Sequence, residues 1–408
     1  MSNLQTLNAP TSYGRIRENN STAVNSKALA DIEALATTWT YQEINRLASE
    51  GRSVIWGGAT WEAPLIRACG TIPIPINELW RENSRHSENI AESYFQVPAE
   101  FCSMIKAMAG RLHDLKKDTA VRRILHFGSG CEPICMVLEH ARKDGFEVYT
   151  IDAATAFNPE DRRDELVRFL VKELDKVAVW LTGKSVDEDR LREEIRLKNK
   201  VNKKIRRILE LRLKNPFYLT AGPTLRILMG GWSYLGNPER YLQILDQAIA
   251  ELEEAAKTPD DRFHVPVILV GGGTGGPGLI NAIEESRGAI LGFVIFSTAD
   301  FREDVPPLES IAHYLFDAQL KGELGEGAGA SATHRKVRVE ELLKETGARG
   351  IINSIVTACP YASVVQQLER DYFKKQGIPM VALENTVHNE PPTEEQVMKV
   401  KTFIDMLS

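Results

Sequence analysis

Cysteine is the residue type in this chain best suited to chemistry, and three of the five cysteines are placed for it. Cys102 lies in PAEFCSMIKAMAG, Cys131 in ILHFGSGCEPIC and Cys359 in GIINSIVTACPYAS. Cys131 and Cys359 each follow an apolar run that breaks at turn residues, the pattern of a strand passing into a helix. α/β proteins put chemistry at that junction, because a helix N-terminus brings unpaired N–H groups and the positive end of its dipole. A thiol there is favoured as the thiolate, the form that binds metal. Three such thiolates would suit an iron–sulfur cluster with one iron left open. For any one of these cysteines an inert buried thiol is the commoner fate; the trio favours the cluster. Cys69, on an apolar helix face before Gly70, reads as core. Cys135 follows Cys131 by one helical turn and suits either a ligand or a helix–sheet contact. Zinc is disfavoured, because none of the eight histidines pairs with these thiols in the sequence.

A second candidate is the glycine run GGGTGGPG, residues 271–278, between VPVILV and LINAIEES. Gly273, Gly275 and Gly276 would let the backbone approach a substrate or cofactor phosphate. The alternative is a tight strand–helix turn with no ligand. No Gly-Lys-Ser/Thr follows, so the run is not a P-loop. There is no G-x-S-x-G elbow. His126, in an apolar strand, and His388, in a loop, read as packing residues rather than partners for a nucleophilic cysteine.

Composition narrows the setting. The 408 residues are 43% hydrophobic and 26% charged, with a net charge of −6 from 50 basic and 56 acidic residues. These are values of a globular protein with two or three domains. No basic arm stands out, which argues against nucleic acid. No apolar run approaches the ~18 residues of a membrane span. The N-terminus lacks the apolar stretch of a signal peptide, so a cytoplasmic location is expected. Thiols stay reduced there and read as free, catalytic or metal-bound.

The elements that must position the thiols follow a β-α-β rhythm. Residues 1–50 read as a polar arm and a helix with Leu29, Ile32, Leu35 and Trp39 on one side. Residues 51–158 read as a first α/β lobe: a strand at 53–58, a helix stopped by Gly70, an extended TIPIPIN, a helix over 98–117, a strand at 122–130, a helix closed by Gly145 and a strand at 146–152. Residues 159–262 read as a segment of long charged helices, whose basic stretch is taken as a solvated face over core leucines. Residues 263–408 repeat the strand–helix alternation as a second lobe. The fold class expected is α/β, with two Rossmann- or flavodoxin-like parallel-sheet lobes and a helical segment between them.

Four segments together resemble the 2-hydroxyacyl-CoA dehydratase / benzoyl-CoA reductase family of cluster-bearing subunits. They are VIWGGATWEAPLIRACGTIPI, EFCSMIKAMAG, FGSGCEPICMV and GIINSIVTACPYASVVQQLERDYFKKQGIPMVALEN, and the resemblance spans roughly residues 50–400. It implies a [4Fe-4S] cluster on Cys102, Cys131 and Cys359, with the fourth iron open to water or a thioester carbonyl. It implies an acyl-CoA substrate, a homologous second subunit, and an ATP-dependent activator that injects one electron. The activity implied is dehydration of a 2-hydroxyacyl-CoA through a ketyl radical. A benzoyl-CoA reductase-type subunit is the alternative. A cluster-free α/β binding or scaffold subunit is a second one. The double-cubane branch would need six ligating cysteines, and the chain has five. Carried over by segment, Thr60 and Glu62 fall on the substrate side, and Glu78, the catalytic candidate, falls near the family's substrate-site carboxylate. The chain departs from the family pattern in three places. Glu62 and Pro64 replace its Pro-Glu pair in changed order, Ala59 stands near its substrate-side hydroxyl, and Glu384-Asn385 follows the last strand.

Overall fold

A computed structural model of the chain describes residues 26–76, 84–128, 131–152, 159–258, 262–271, 277–294, 297–320, 332–385 and 392–408. Two four-stranded sheets organise these residues, and every strand pair in both is parallel. The first sheet has the order β2-β1-β3-β4, built from β1 (Val54–Trp56), β2 (Ile72–Ile74), β3 (Arg123–Gly128) and β4 (Glu147–Asp152). The second has the order β6-β5-β7-β8, built from β5 (Val265–Val270), β6 (Gly288–Val294), β7 (Gly350–Val356) and β8 (Met380–Asn385). The expected α/β class with two parallel-sheet lobes is therefore correct.

The two sheets share one topology, although their sequences show no obvious repeat. In each the chain runs from a central strand out to one edge, then returns to the other side. That reversal opens a crevice at the C-terminal strand ends, between β1 and β3 and between β5 and β7. The first residue past each leading strand is a glycine in the left-handed region, Gly57 (φ 90°) and Gly271 (φ 115°). A Cβ on either would lie 2.0 Å from a carbonyl oxygen of the neighbouring strand, Leu125 or Ser354. Only glycine lets the chain turn while the two strands stay paired.

Side-chain alternation divides the core. Val54, Trp56 and Ile124 point to one large cluster, as do Val265, Val267, Leu269, Ile352 and Val356 from the second sheet. Ile55 and Leu125 point the opposite way, toward α3 (Ala63–Ala68), α7 (Arg163–Thr182) and α12 (Pro307–Leu320). Ile268, Val270 and Ile351 point to a third cluster under α13 (Ala332–Thr346). Period-two alternation thus gives each sheet a private outer core and a shared inner one. The shared core also takes in α1 (Lys27–Thr38), α8 (Glu188–Arg212), α9 (Ala221–Ser233) and α10 (Pro238–Ala255). Each fully buried Leu or Ile there contributes roughly 1.5–3 kcal/mol.

Two readings need correction. The helix expected from residue 98 begins at Ser103 and is α5 (Ser103–Leu115). A turn precedes it, and Cys102 rather than Pro98 stands at its cap. The basic stretch of α8 is not only a solvated face: Lys198, Asn202 and Arg212 are buried in it beside Val201, Ile205, Ile208 and Leu211. The sequence reading also passed over α4 (Ser84–Ser93), which pairs closely with α5. A Cβ on Gly110 of α5 would lie 1.9 Å from the Ser87 carbonyl oxygen. α2 (Tyr41–Ser49), α6 (Glu132–Lys143), α11 (Pro277–Glu285), α14 (Pro360–Lys375) and α15 (Glu394–Leu407) complete the described helices. None of them is long and apolar enough to cross a membrane.

Gly57→Ala should destabilise the fold by roughly 2–5 kcal/mol, combining left-handed strain with a backbone collision. Gly51 has a similar φ of 85° with nothing within 4 Å of a Cβ, so Gly51→Ala should cost only about 1–2 kcal/mol. Urea unfolding of both variants checks this, and equal costs would contradict the close-approach argument.

Candidate active site

The three thiols share one local design. Cys102 is the N-cap of α5, Cys131 of α6 and Cys359 of α14. An N-cap normally carries a side-chain oxygen that accepts from the amide three residues on. At Cys359 sulfur takes that part, accepting from the Ala362 N–H at 3.5 Å; Cys102 and Cys131 hold the cap position without such a bond. Three positive helix ends therefore carry thiols.

The structure brings these thiols from distant parts of the chain into mutual reach. The Cys102 thiol lies close enough to that of Cys359 to be raised by it, and Cys131 lies within electrostatic range of Cys359. The Ser103 N–H donates to the Thr357 carbonyl at 3.5 Å, joining the start of α5 to the end of β7. Ala358, just before Cys359, has φ 60°, a strained value for a residue with a Cβ. Cys102 is buried, and Cys131 and Cys359 are half-buried at the edge of the shared core.

Protonation follows from these contacts. The neighbouring Cys359 thiol and then burial hold the Cys102 thiol well above its ordinary value. Burial raises Cys131 as well, and the neighbouring Cys359 and Cys135 thiols add to it. The backbone amides of Ile105 and Ile134 pull the other way. Cys102 and Cys131 are therefore held toward the thiol form, and binding a cation there must release protons. Among the described residues, no three His, Cys, Asp or Glu side chains stand close enough to hold a single metal ion. Cluster thiolates each bind a different iron and so stand farther apart than ligands of one ion. One thiol from each of three helices fits a cluster that takes one sulfur per iron.

The support behind Cys102 was not anticipated from the sequence. Ser103 Oγ donates to Glu88 of α4. Lys106, buried one turn into α5, donates to Glu92 at 2.7 Å and to the Ala99 carbonyl at 2.6 Å, with Glu88 at 3.6 Å. These bonds hold the turn before Cys102 against α4. The available signal was a lysine inside an otherwise apolar helix face.

The remaining candidates divide. Thr60 and Glu62 lie in the turn after β1, at the crevice of the first sheet. Glu62 is buried, and its Oε2 accepts from the Thr60 N–H at 3.2 Å and the Thr60 hydroxyl at 2.7 Å. Burial raises the Glu62 carboxyl, opposed by Thr60 and by the charge of Lys198. Lys198 is also buried; it donates to the Gly231 carbonyl at 2.8 Å, and burial lowers its amine to about 8. Glu78, Gly273, Gly275, Gly276 and His388 lie outside the described residues. Cys69 is half-buried against the outer core of the first sheet, and burial pushes its thiol to about 11. Cys135 is exposed. His126 is buried in β3, which pushes its imidazole to about 4. An apolar cavity of about 460 Å³ runs between α5 and α6, past Phe101, Ile105, Pro133 and Val137, but none of the three thiols lines it.

A two-lobed parallel α/β protein with capping thiols where its halves meet is the class defined by this geometry. The chain matches the 2-hydroxyglutaryl-CoA dehydratase, D-component family over residues 61–407 and belongs to that family. It is also similar to the putative dehydratase subunit YjiM of Escherichia coli (strain K12), with 24% identity over 258 residues. That alignment covers 61% of this chain and 66% of the relative, just under two thirds of its length.

The lowered Lys198 sets a pH dependence. Below about pH 8 the folded and unfolded chains both carry its proton, and the folded state bears the full cost of burying the charge. Between about 8 and 10.5 the folded state releases the proton first, so this group's contribution to stability rises with pH. The rise should be on the order of 3 kcal/mol. Lys198→Met should flatten it, as seen in denaturant midpoints at pH ~7.5 and ~10; parallel curves for variant and wild type would contradict the assignment.

Proposed function

We propose that the chain is the cluster-bearing component of an enzyme that dehydrates a 2-hydroxyacyl-CoA, with Cys102, Cys131 and Cys359 holding a [4Fe-4S] cluster. The observation that carries this reading is the meeting of three thiols, each the N-cap of a different helix. Family membership over residues 61–407 supports it, as does the dehydratase description of the relative. The D-component title supports a partner component, read here as a homologous second subunit. An ATP-dependent activator and a cytoplasmic location complete the reading.

When bound, the cluster would supply a single electron and one open iron for a thioester oxygen. The chain's own part is positional. The positive helix ends offset the charge of the three thiolate forms, and the Ala362 N–H orients the Cys359 sulfur. Burial of Cys102 at the shared core shields that side of the site from water. The turn carrying Thr60 and Glu62 lies at the strand end where α/β proteins bind ligands, and it gives substrate a hydroxyl and a buried carboxyl.

Anaerobic reconstitution followed by iron and sulfide analysis tests the proposal. The wild type should hold iron and sulfide in equal amounts. Cys102→Ser, Cys131→Ser and Cys359→Ser should each lose most of both, while Cys69→Ser and Cys135→Ser keep them. Stoichiometric iron in the three variants, or none in the wild type, would refute the cluster. With activator and partner present, turnover of a 2-hydroxyacyl-CoA but not of an aromatic acyl-CoA separates dehydratase from reductase.

A further inference from the structure

We propose that the cavity between α5 and α6 is a binding site for a small aromatic amine, distinct from the place where acyl-CoA would bind. Its volume of about 460 Å³ falls in the range of pockets that enclose a small organic molecule. The floor is a face shared by the two helices: Ile105, Ala109 and Leu112 from α5, with Val137 and Ala141 from α6, all buried. Aromatic rings form the wall. Phe95 meets the His113 ring edge-on at 5.5 Å and the His140 ring at 5.1 Å. Phe101 and Met136 stand exposed at the mouth. Such rings offer stacking and edge contacts to a flat guest. The segment that carries Phe95 is bent to keep this shape. Gln96 has φ 55°, left-handed for a residue with a Cβ, and the Val97 N–H donates to the Ala91 carbonyl at 3.1 Å. Backbone strain of this kind persists where the surroundings enforce it, and it clusters at ligand clamps. Here it sets Phe95, Val97 and Pro98 along one side of the cavity.

Charge selects the class of guest. The chain carries 50 basic residues, yet no lysine or arginine lines the cavity. Its two carboxylates stand at opposite ends of α6, Glu132 in the first turn and Asp144 at the C-cap. Asp144 is matched by Lys116, whose Nζ donates to Oδ1 at 3.2 Å and lies 3.3 Å from His113 Nδ1. Burial and then the Lys116 charge lower the His113 imidazole, so that ring brings no cation at neutral pH. Glu132 has no ion pair among the described residues. The phosphates of CoA, or a carboxylate, would meet like charge there. An ammonium would be matched by Glu132, and the ring faces also attract a cation. An apolar ring system bearing one amine therefore fits both the walls and the charge. No thiol lines the cavity, so binding does not depend on the cluster or on the dehydratase reading.

Isothermal titration of the full-length chain with probes that share one ring system tests the proposal. Tryptamine, 3-ethylindole and indole-3-propionate are cationic, neutral and anionic at neutral pH. Tryptamine should bind with a Kd on the order of 10–100 µM. 3-Ethylindole should bind about threefold to tenfold more weakly, and indole-3-propionate at least about tenfold more weakly than tryptamine. Glu132→Gln, at an exposed position, should bring tryptamine down to the affinity of 3-ethylindole and leave 3-ethylindole unchanged. Ala109→Phe should fill the floor and weaken all of the probes. Met136→Arg changes only an exposed side chain, so it keeps the test open where Ala109→Phe does not fold; it should weaken tryptamine and strengthen indole-3-propionate. Saturating CoA should leave the tryptamine Kd unchanged. No binding of tryptamine, equal binding of amine and carboxylate, displacement by CoA, or unaltered affinities in Glu132→Gln and Met136→Arg would each overturn the proposal.

Discussion

Three helices must begin at one point, and that requirement governs much of this molecule. Each helix offers its positive end and three or four unpaired amides, so bringing three such ends together is unfavourable unless negative charge is placed among them. A thiol at a helix start becomes anionic when it binds a cation. The junction therefore suits a bound cation. Its supports are close by: the Lys106 contacts behind Cys102, the left-handed Ala358 before Cys359, and the tight pairing of α4 on α5 at Gly110.

The topology explains why there are three thiols. The two sheets have the same strand order, and α6 and α14 occupy the same place in each, after the third strand of the lobe. Each supplies one capping cysteine. The third comes from α5, in the connection between β2 and β3. The matching connection between β6 and β7 holds α12 and α13, and residues 295–349 contain no cysteine. A repeated architecture with one unmatched cysteine thus supplies three capping thiols rather than four.

Much of this was legible in the sequence because it rests on local signals. The apolar runs at 122–128 and 350–356 are buried strands, and glycines mark the turns beside them. The junction cysteines could be placed at helix starts for the same reason. What was not legible depends on distant contacts. Nothing in EFCSMIKAMAG says that Cys102 meets Cys359, since 257 residues separate them. Helix α4 carries a polar sequence, SRHSENIAES, and its stability comes from packing on α5 rather than from an apolar stripe. Lys198 and Arg212 look like surface residues in a basic run, and only the contact of α8 with α3, α9 and α10 buries them. The shared topology was hidden because parallel sheets ask for apolar strands and glycine turns, not for particular residues.

The central claim is that one cluster sits where α5, α6 and α14 begin. Anomalous diffraction at the iron absorption edge, from crystals of the anaerobically reconstituted chain, tests it most directly. The account predicts a single compact iron peak bonded to the sulfurs of Cys102, Cys131 and Cys359, with one iron lacking a protein sulfur. Iron bound elsewhere, or a peak that takes Cys135 or Cys69 in place of one of the three, would contradict it.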